Sequence, residues 1–353
     1  MELTGYTITG KSEHLAFLDS LRAIAIIMVV GVHALGYSIT LSQIQHDIIL
    51  FVIHTVSVPL FFLVDGYIFA RNETHSSNYT YKGYIKKSFF RLLVPWVIFT
   101  LIYTLARYVF ELTGLLNDRL ILGNSLPQII ISAYGAVYAP QMYFLFSLFL
   151  IRLCFPMLKI ILSFKNYGLS FLFFLYYAVY VNTIPYISNY LKIDGGQEPI
   201  LHALWGFQFY FAGVIIYKFS QNYDLKKLLP PLVMLLMFVL LIRYKFRLYN
   251  LDHLTQYLYL LSIFFFFAFY CTPGIPPLNL IGKNTMGIYL IHAPIILKMV
   301  SLFLNKFVYV PIYSFLSIWI TALLLSCCIA LVVNKVPYGC LLFGLKYQRS
   351  TVG

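Results

Sequence analysis

Arg22 and His33 stand eleven residues apart in the first apolar stretch of the chain, Leu18-Asp19-Ser20-Leu21-Arg22-Ala23 through Val32-His33-Ala34. On a helix this spacing brings both side chains within roughly 20° of one face, about 16 Å apart along the axis. Ionisable groups at membrane depth are costly, and they mark function more often than not. A guanidinium holds phosphate oxygens with paired donors, and a neutral imidazole takes a proton from a hydroxyl. The stripe therefore suits a long anionic ligand, its charged head at the surface and its reactive end inside. Asp19, three residues before Arg22, falls on the same face and is expected to orient it. A lone histidine more often serves packing, and a lone interfacial arginine snorkels to headgroups. Their shared stripe reverses those odds.

Further candidates lie downstream. The run Tyr84-Ile85-Lys86-Lys87-Ser88-Phe89-Phe90-Arg91 puts three cations just before an apolar span. Such residues collect at inner helix ends to set topology, so a ligand-phosphate role stands at even odds. Lys87 and Arg91 are four apart and share a helix face, which favours them over Lys86. Residues 56–67 combine Ser57, a Pro59 kink, the carboxylate of Asp65 and Gly66. Asp65 is expected near the inner end, where it pairs with the basic loop, polarises a histidine or binds a hydroxyl. The segment Ile281-Gly282-Lys283-Asn284-Thr285-Met286-Gly287-Ile288-Tyr289-Leu290-Ile291-His292 opens a later span and carries a second imidazole at membrane depth. His54 is a weaker candidate, and His14, His46, His75, His202 and His253 read as peripheral. The chain carries no Gly-rich phosphate loop, G-x-S-x-G elbow or H-E-x-x-H pair.

These residues need a scaffold, and composition specifies its class. Of 353 residues 61% are hydrophobic and 10% charged, which fits a polytopic all-α membrane protein and no soluble domain of this length. Ten candidate spans fall at 17–37, 47–70, 92–111, 138–159, 168–187, 201–219, 228–242, 254–271, 284–304 and 312–334. The least certain are 47–70, interrupted by His54, Pro59 and Asp65, and the short 228–242. An even number puts both termini on one side. Of the 25 Lys and Arg residues, 17 then fall on that side and 8 on the other, so both termini are predicted cytoplasmic. The net charge of +13 follows from these asymmetric loops, with no soluble basic stripe for nucleic acid. The N-terminus does not read as a cleavable signal. The sequons at Asn72 and Asn78 fall on the inner side and read as chance matches. Residues 112–137 and 188–200 are long enough to shape an outer mouth. The five cysteines show no metal or disulfide spacing and read as packing residues, and no metal is expected. The whole chain, 1–353, reads as one integral-membrane domain.

At this point the motifs resemble a known family. Phe17-Leu18-Asp19-Ser20-Leu21-Arg22-Ala23-Ile24-Ala25 with His33, Val58-Pro59-Leu60-Phe61-Phe62 with Gly66-Tyr67, Lys86-Lys87 through Arg91 and Pro95, and Gly282 through His292 resemble bacterial acyltransferase family three, in order along the chain. The resemblance implies a ten-helix multi-pass enzyme of the bacterial inner membrane. Such enzymes move an acyl group, usually acetyl, from cytoplasmic acyl-CoA to a hydroxyl of a cell-surface or lipid-linked glycan. By the family's pattern His33 is the catalytic histidine, and Arg22 holds CoA phosphates. Two departures stand out: Asp65 occupies a common serine position, and Tyr143 in Gln141-Met142-Tyr143-Phe144-Leu145 replaces a usual tryptophan.

The expected site thus comprises His33, Asp19 and Tyr289 for chemistry, and Arg22, Lys86, Lys87 and Arg91 for acyl-CoA. Asp65, His292 and Ser57 are expected to bind substrate. Tyr289 or Ser57 is expected to supply an oxyanion donor, and direct transfer and a transient acyl-His33 both stay open. The competing reading is a proton-coupled transporter or flippase of lipid-linked sugars, using His33 and Asp65 as a relay. Matched broken helices in the two halves would favour it, and none is visible in the sequence. A third reading is a non-catalytic receptor or assembly factor.

Overall fold

The computed structural model of the chain describes residues 15–75, 80–116, 118–191, 198–246, 252–336 and 339–344, with 244–246 described in backbone only. Asn78, His14 and the loop Asp194-Gly195-Gly196-Gln197 lie outside them. The described residues are helical throughout, with no strand. Nine helices or helix pairs are long and apolar enough to cross a membrane, and a bent pair makes a tenth. Each coincides with one of the ten windows expected from the sequence.

The first span is α1 (Ala16–Leu35), a continuous helix that carries both Arg22 and His33. The second is broken. α2 (Gln43–His54) and α3 (Ser57–His75) meet at Thr55-Val56, and Pro59 lies in the first turn of α3. A proline there loses no helical hydrogen bond, so the break precedes the proline expected to cause it. α4 (Tyr81–Ser88) continues through a π-helical turn, Phe89–Leu93, into α5 (Val94–Leu112). Pro95 sits at the start of α5 and cannot donate to the ladder, and the wider turn absorbs the mismatch.

After α6 (Leu126–Tyr134) comes a 3-10 turn, Pro140–Met142, and then α7 (Tyr143–Leu153) and α8 (Phe155–Ser163). This span bends by 59° at Cys154. α9 (Asn166–Leu191), α10 (Pro199–Ser220), α11 (Leu229–Phe246) and α12 (Asp252–Tyr270) complete the middle of the chain. α13 (Pro276–Lys283), α14 (Thr285–Ile291), α15 (Leu297–Leu304), α16 (Pro311–Lys335) and the short α17 (Gly339–Leu342) close it.

Lipid is as apolar as leucine, so helices in a membrane associate through close packing rather than through exclusion of water. The tightest seam joins α3 to α10. A Cβ on Gly66 would lie 1.9 Å from the Tyr210 carbonyl oxygen, and one on Gly213 would lie 2.0 Å from that of Leu63. The two backbones therefore touch. Around the seam Phe62, Phe209 and Tyr210 are fully buried. A second close contact locks α13 to α1, where a Cβ on Gly282 would meet the Asp19 carbonyl oxygen at 2.0 Å. Beside it Ser20 Oγ donates to Asn279 (2.7 Å) and accepts from the Ile275 N–H (3.0 Å). The glycines of two motif segments thus set the positions of Asp65 and Asp19.

Candidate active site

Two cavities enter the bundle from opposite ends. On α1, Arg22 near the start lines the first cavity, and His33 lies near the helix end. The second span places His54 and Thr55, at the α2–α3 break, in the other cavity, while Phe61, Val64 and Asp65 further along α3 line the first. On α7, Tyr143 at the start lines one cavity, and Phe144, Leu145, Leu148 and Arg152 line the other.

The first cavity, about 250 Å³, opens into a mouth of about 70 Å³, and the two share Arg22, Asp65, Arg91 and Arg152. Lys283 lines the inner part and Lys87 the mouth. Lys86 is exposed and lines neither, which separates it from its two expected partners. Arg22 Nη1 donates to Asp19 Oδ1 at 3.1 Å, the orienting contact expected from their spacing, while the Arg22 side chain stays 27% exposed. Arg152 grips Asp65 with both arms of its guanidinium, Nε to Oδ2 at 3.0 Å and Nη2 to Oδ1. Asp65 is therefore committed to an arginine at the mouth, a pairing in place of the histidine or hydroxyl it was expected to hold. Arg152 itself was not singled out by sequence. It is an isolated cation in an apolar run, and only the fold brings α7 to α3. Asn72, the asparagine of the first sequon, also lines the mouth.

Between the cavities stand two histidines. The rings of His33 and His292 lie 5.3 Å apart, tilted by 51°. His292 is completely buried, and its Nδ1 lies 2.8 Å from the Tyr289 carbonyl oxygen and 3.1 Å from that of Ile288. A carbonyl only accepts, so Nδ1 carries the proton and Nε2 keeps a free lone pair. That Nε2 is buried and has no hydrogen-bond partner among the described residues. His33 is less enclosed, and its ring makes no hydrogen bond to a described residue. Neither ring lines either of these two cavities, yet each has a neighbour that does. Tyr289, whose ring centroid is 6.0 Å from that of His292, lines the basic cavity. His54, in electrostatic contact with His33, lines the other. The pair forms a septum.

The chain bends around this septum. A π-helical turn, His292–Ile296, follows α14, and Ala293 within it is extended (φ −131°, ψ 152°). The side chain of Gln141 donates to the buried Ala293 carbonyl, and the Tyr289 hydroxyl donates to the Gln141 carbonyl. Tyr103 similarly donates to the Leu290 carbonyl. The Tyr289 hydroxyl is thus spent on holding the break, a correction to its expected role as oxyanion donor. Ser57 Oγ donates to the His54 carbonyl at 3.2 Å and lines neither cavity, so it caps the α2–α3 break. The substrate and oxyanion roles expected of Ser57 have no geometric support.

The second cavity, about 480 Å³, draws His54, His202, His253, Trp205, Arg243 and Gln256 from four different helices. Of its three histidines, one had read as weak and two as peripheral. None of the described residues in 112–137 lines it, in contrast to the mouth expected of this loop. Instead Glu111 ties the loop down, its carboxylate accepting from the N–H groups of Leu120, Ile121 and Leu122 and from Arg107. From the other expected loop, Glu198 accepts from the Tyr134 hydroxyl at 2.9 Å, and its carbonyl holds His202 Nδ1 at 2.9 Å. Burial, reinforced by that carboxylate, pushes the Tyr134 hydroxyl above its ordinary range, so the contact keeps its proton across the working pH span.

Comparison with known proteins agrees with this geometry. No curated protein and no solved structure matches the chain at a significant level. A family model described as an acyltransferase domain does match, over residues 15–334, from the first turn of α1 to the end of α16. With nearly the whole chain covered and ten candidate spans in place, the protein is a multi-pass membrane acyltransferase and belongs to acyltransferase family three.

Proposed function

We propose that the chain moves an acetyl group from acetyl-CoA, bound at the basic cavity, to a hydroxyl of a surface or lipid-linked glycan that reaches the septum from the opposite side. One observation carries this reading: a pair of imidazoles stands between a cavity rich in arginine and a second cavity of different chemistry. Coenzyme A has a multiply phosphorylated head and a slender arm ending in the thioester. Arg22, Arg91, Arg152 and Lys87 surround the mouth, where the head belongs. By the same reading that mouth faces the cytoplasm of a bacterium, in its inner membrane, in keeping with the distribution of Lys and Arg.

His33 is the base in this scheme. It takes the proton of the acceptor hydroxyl as the oxygen attacks the thioester carbonyl carbon. The carbon–sulfur bond breaks, and the departing thiolate recovers the proton from His33. His292, with Nδ1–H fixed on backbone carbonyls, offers its Nε2 lone pair to the charged imidazole that forms.

Purified protein supplied with radiolabelled acetyl-CoA tests the donor half. Saturable binding and slow thioester hydrolysis are expected, and their absence rejects the proposal. Arg22→Ala is expected to raise the KM for acetyl-CoA roughly tenfold or more, the loss of one charge-assisted phosphate contact. Its kcat should change little, because the contact is equal in ground and transition states. Asp65→Asn gives a complementary result. It frees Arg152 at the mouth, so the salt dependence of acetyl-CoA binding should steepen while the unliganded protein melts at a lower temperature. Binding curves at two ionic strengths, with a thermal melt, read both.

A further inference from the structure

We infer that the second cavity is the acceptor site, and that it takes an uncharged pyranose ring of a glycan rather than an acidic sugar or a phosphate. The inference rests on the acyl-transfer reading above and adds the location and chemistry of the acceptor.

Charge comes first. Among the described residues that line this cavity Arg243 is the one arginine or lysine, and its Nη2 lies 2.8 Å from Asp252 Oδ1. Its guanidinium carbon also sits 4.6 Å above the Phe51 ring. Both its charge and one of its faces are thus engaged from within the protein. Among the described lining residues the Arg243 and Asp252 charges match each other, in contrast to the arginine-lined mouth at the other end. A carboxylate or phosphate entering here meets no unmatched arginine or lysine among them.

Hydrogen-bond polarity points the same way. His202 Nδ1 donates to the Glu198 carbonyl, which leaves its Nε2 as an acceptor. Gln256 Nε2 donates to the Thr55 carbonyl at 3.1 Å, which leaves its side-chain oxygen as an acceptor. An anion brings acceptors alone and leaves these two acceptors unsatisfied. A sugar hydroxyl donates, and it satisfies them. The apolar requirement is also met, since Trp205, Tyr143 and Tyr180 line the same space and a pyranose presents a face of C–H groups to such rings. Tyr143 is itself held against His202, with ring centroids 4.1 Å apart.

Position completes the case. His54 lines this cavity and is the electrostatic neighbour of His33, so a hydroxyl bound here lies on the acceptor side of the base. Transfer forms an ester bond to that hydroxyl and breaks the thioester of acetyl-CoA. The hydroxyl proton leaves by His33 with the thiolate, and no other reactant is needed.

The test uses full-length protein in lipid nanodiscs, because glycosidic detergents carry the ligand in question. Saturation-transfer NMR without donor reads the cavity alone, with p-nitrophenyl glucoside, galactoside, mannoside and N-acetylglucosaminide against the glucuronide. Binding of at least one neutral pyranoside and none of the glucuronide is expected. With acetyl-CoA added, the bound pyranoside should gain one acetyl group by mass. Trp205→Ala and Gln256→Ala should each raise the acceptor KM at least tenfold and leave acetyl-CoA binding unchanged. Trp205→Phe, which keeps a ring in place, should recover most of the affinity if loss of stacking is the cause. Preferred binding of the glucuronide, no binding of any neutral pyranoside, or unchanged acceptor KM in folded Trp205→Ala would each overturn the inference. Acetyl-CoA that neither binds nor hydrolyses while pyranosides bind would instead sink the donor reading, and the acceptor role with it.

Discussion

Replacing His33 with alanine is expected to lower acetyl transfer by about a thousandfold, within the range that a positioned general base contributes. Acetyl-CoA binding should not change, because the cations that hold the phosphates lie about 16 Å away along α1. The contrast with Arg22→Ala is what makes the experiment informative: one variant loses kcat, the other loses KM. His292 sharpens it. If the two imidazoles work as a unit, the double variant His33→Ala, His292→Ala should be no slower than His33→Ala alone, since members of one catalytic unit are strongly non-additive. A single-turnover assay with equal loading of folded protein decides the matter. Wild-type turnover in His33→Ala removes the proposed base.

The second large effect concerns the seam beneath the site. Gly66→Ala places a methyl carbon where the Tyr210 carbonyl oxygen stands, and Gly213→Ala does the same to Leu63. The obstructing atoms are backbone, so no rotamer change relieves the clash. Each substitution is expected to cost about 3 kcal/mol or more, at the upper end for overpacking of a well-packed interior. Gly36→Ala is the control, because its nearest obstruction is 3.6 Å away. It should melt with the wild type. Gly66 immediately follows Asp65, so the seam variants should also lose affinity for acetyl-CoA as the Asp65–Arg152 pair is displaced. Melting temperature and donor binding measured on the three variants check both halves. Normal melting of Gly66→Ala contradicts a direct backbone contact.

Much of the scaffold was legible because its signals are local. Ten apolar windows of membrane-spanning length stand out from composition alone, and each became a span or a bent pair. Asp19 and Arg22 pair because three residues separate them on one helix, and Lys87 lines the mouth with Arg91 because four do. The breaks were harder. The sequence pointed to Pro59 in the second span, but the chain breaks earlier, at Thr55-Val56, and the 59° bend at Cys154 has no signal in hydropathy.

The site was legible only where one segment carries it. His33 and His292 were both visible as imidazoles at depth, though nothing in one dimension showed that their rings meet. Arg152 escaped because its partner, Asp65, is 87 residues away in sequence. His202 and His253 escaped for a related reason. Each is a single polar residue near the end of an apolar helix, and their shared cavity exists only after α2, α7, α9, α10, α11 and α12 assemble. Tyr289 shows the converse. Its spacing to His292 suggested chemistry, but its hydroxyl donates to the Gln141 carbonyl, 148 residues away in sequence.

Consecutive residues Tyr143 and Phe144 line separate chambers. For transfer as proposed, each reactant then has a private doorway, and neither must wait for the other to vacate. Initial-rate plots should intersect rather than run parallel. Free coenzyme A should compete with its own thioester, while the sugar's apparent affinity stays untouched. Chemistry would cross the bilayer with no carrier, since nothing larger than an acetyl group passes the wall.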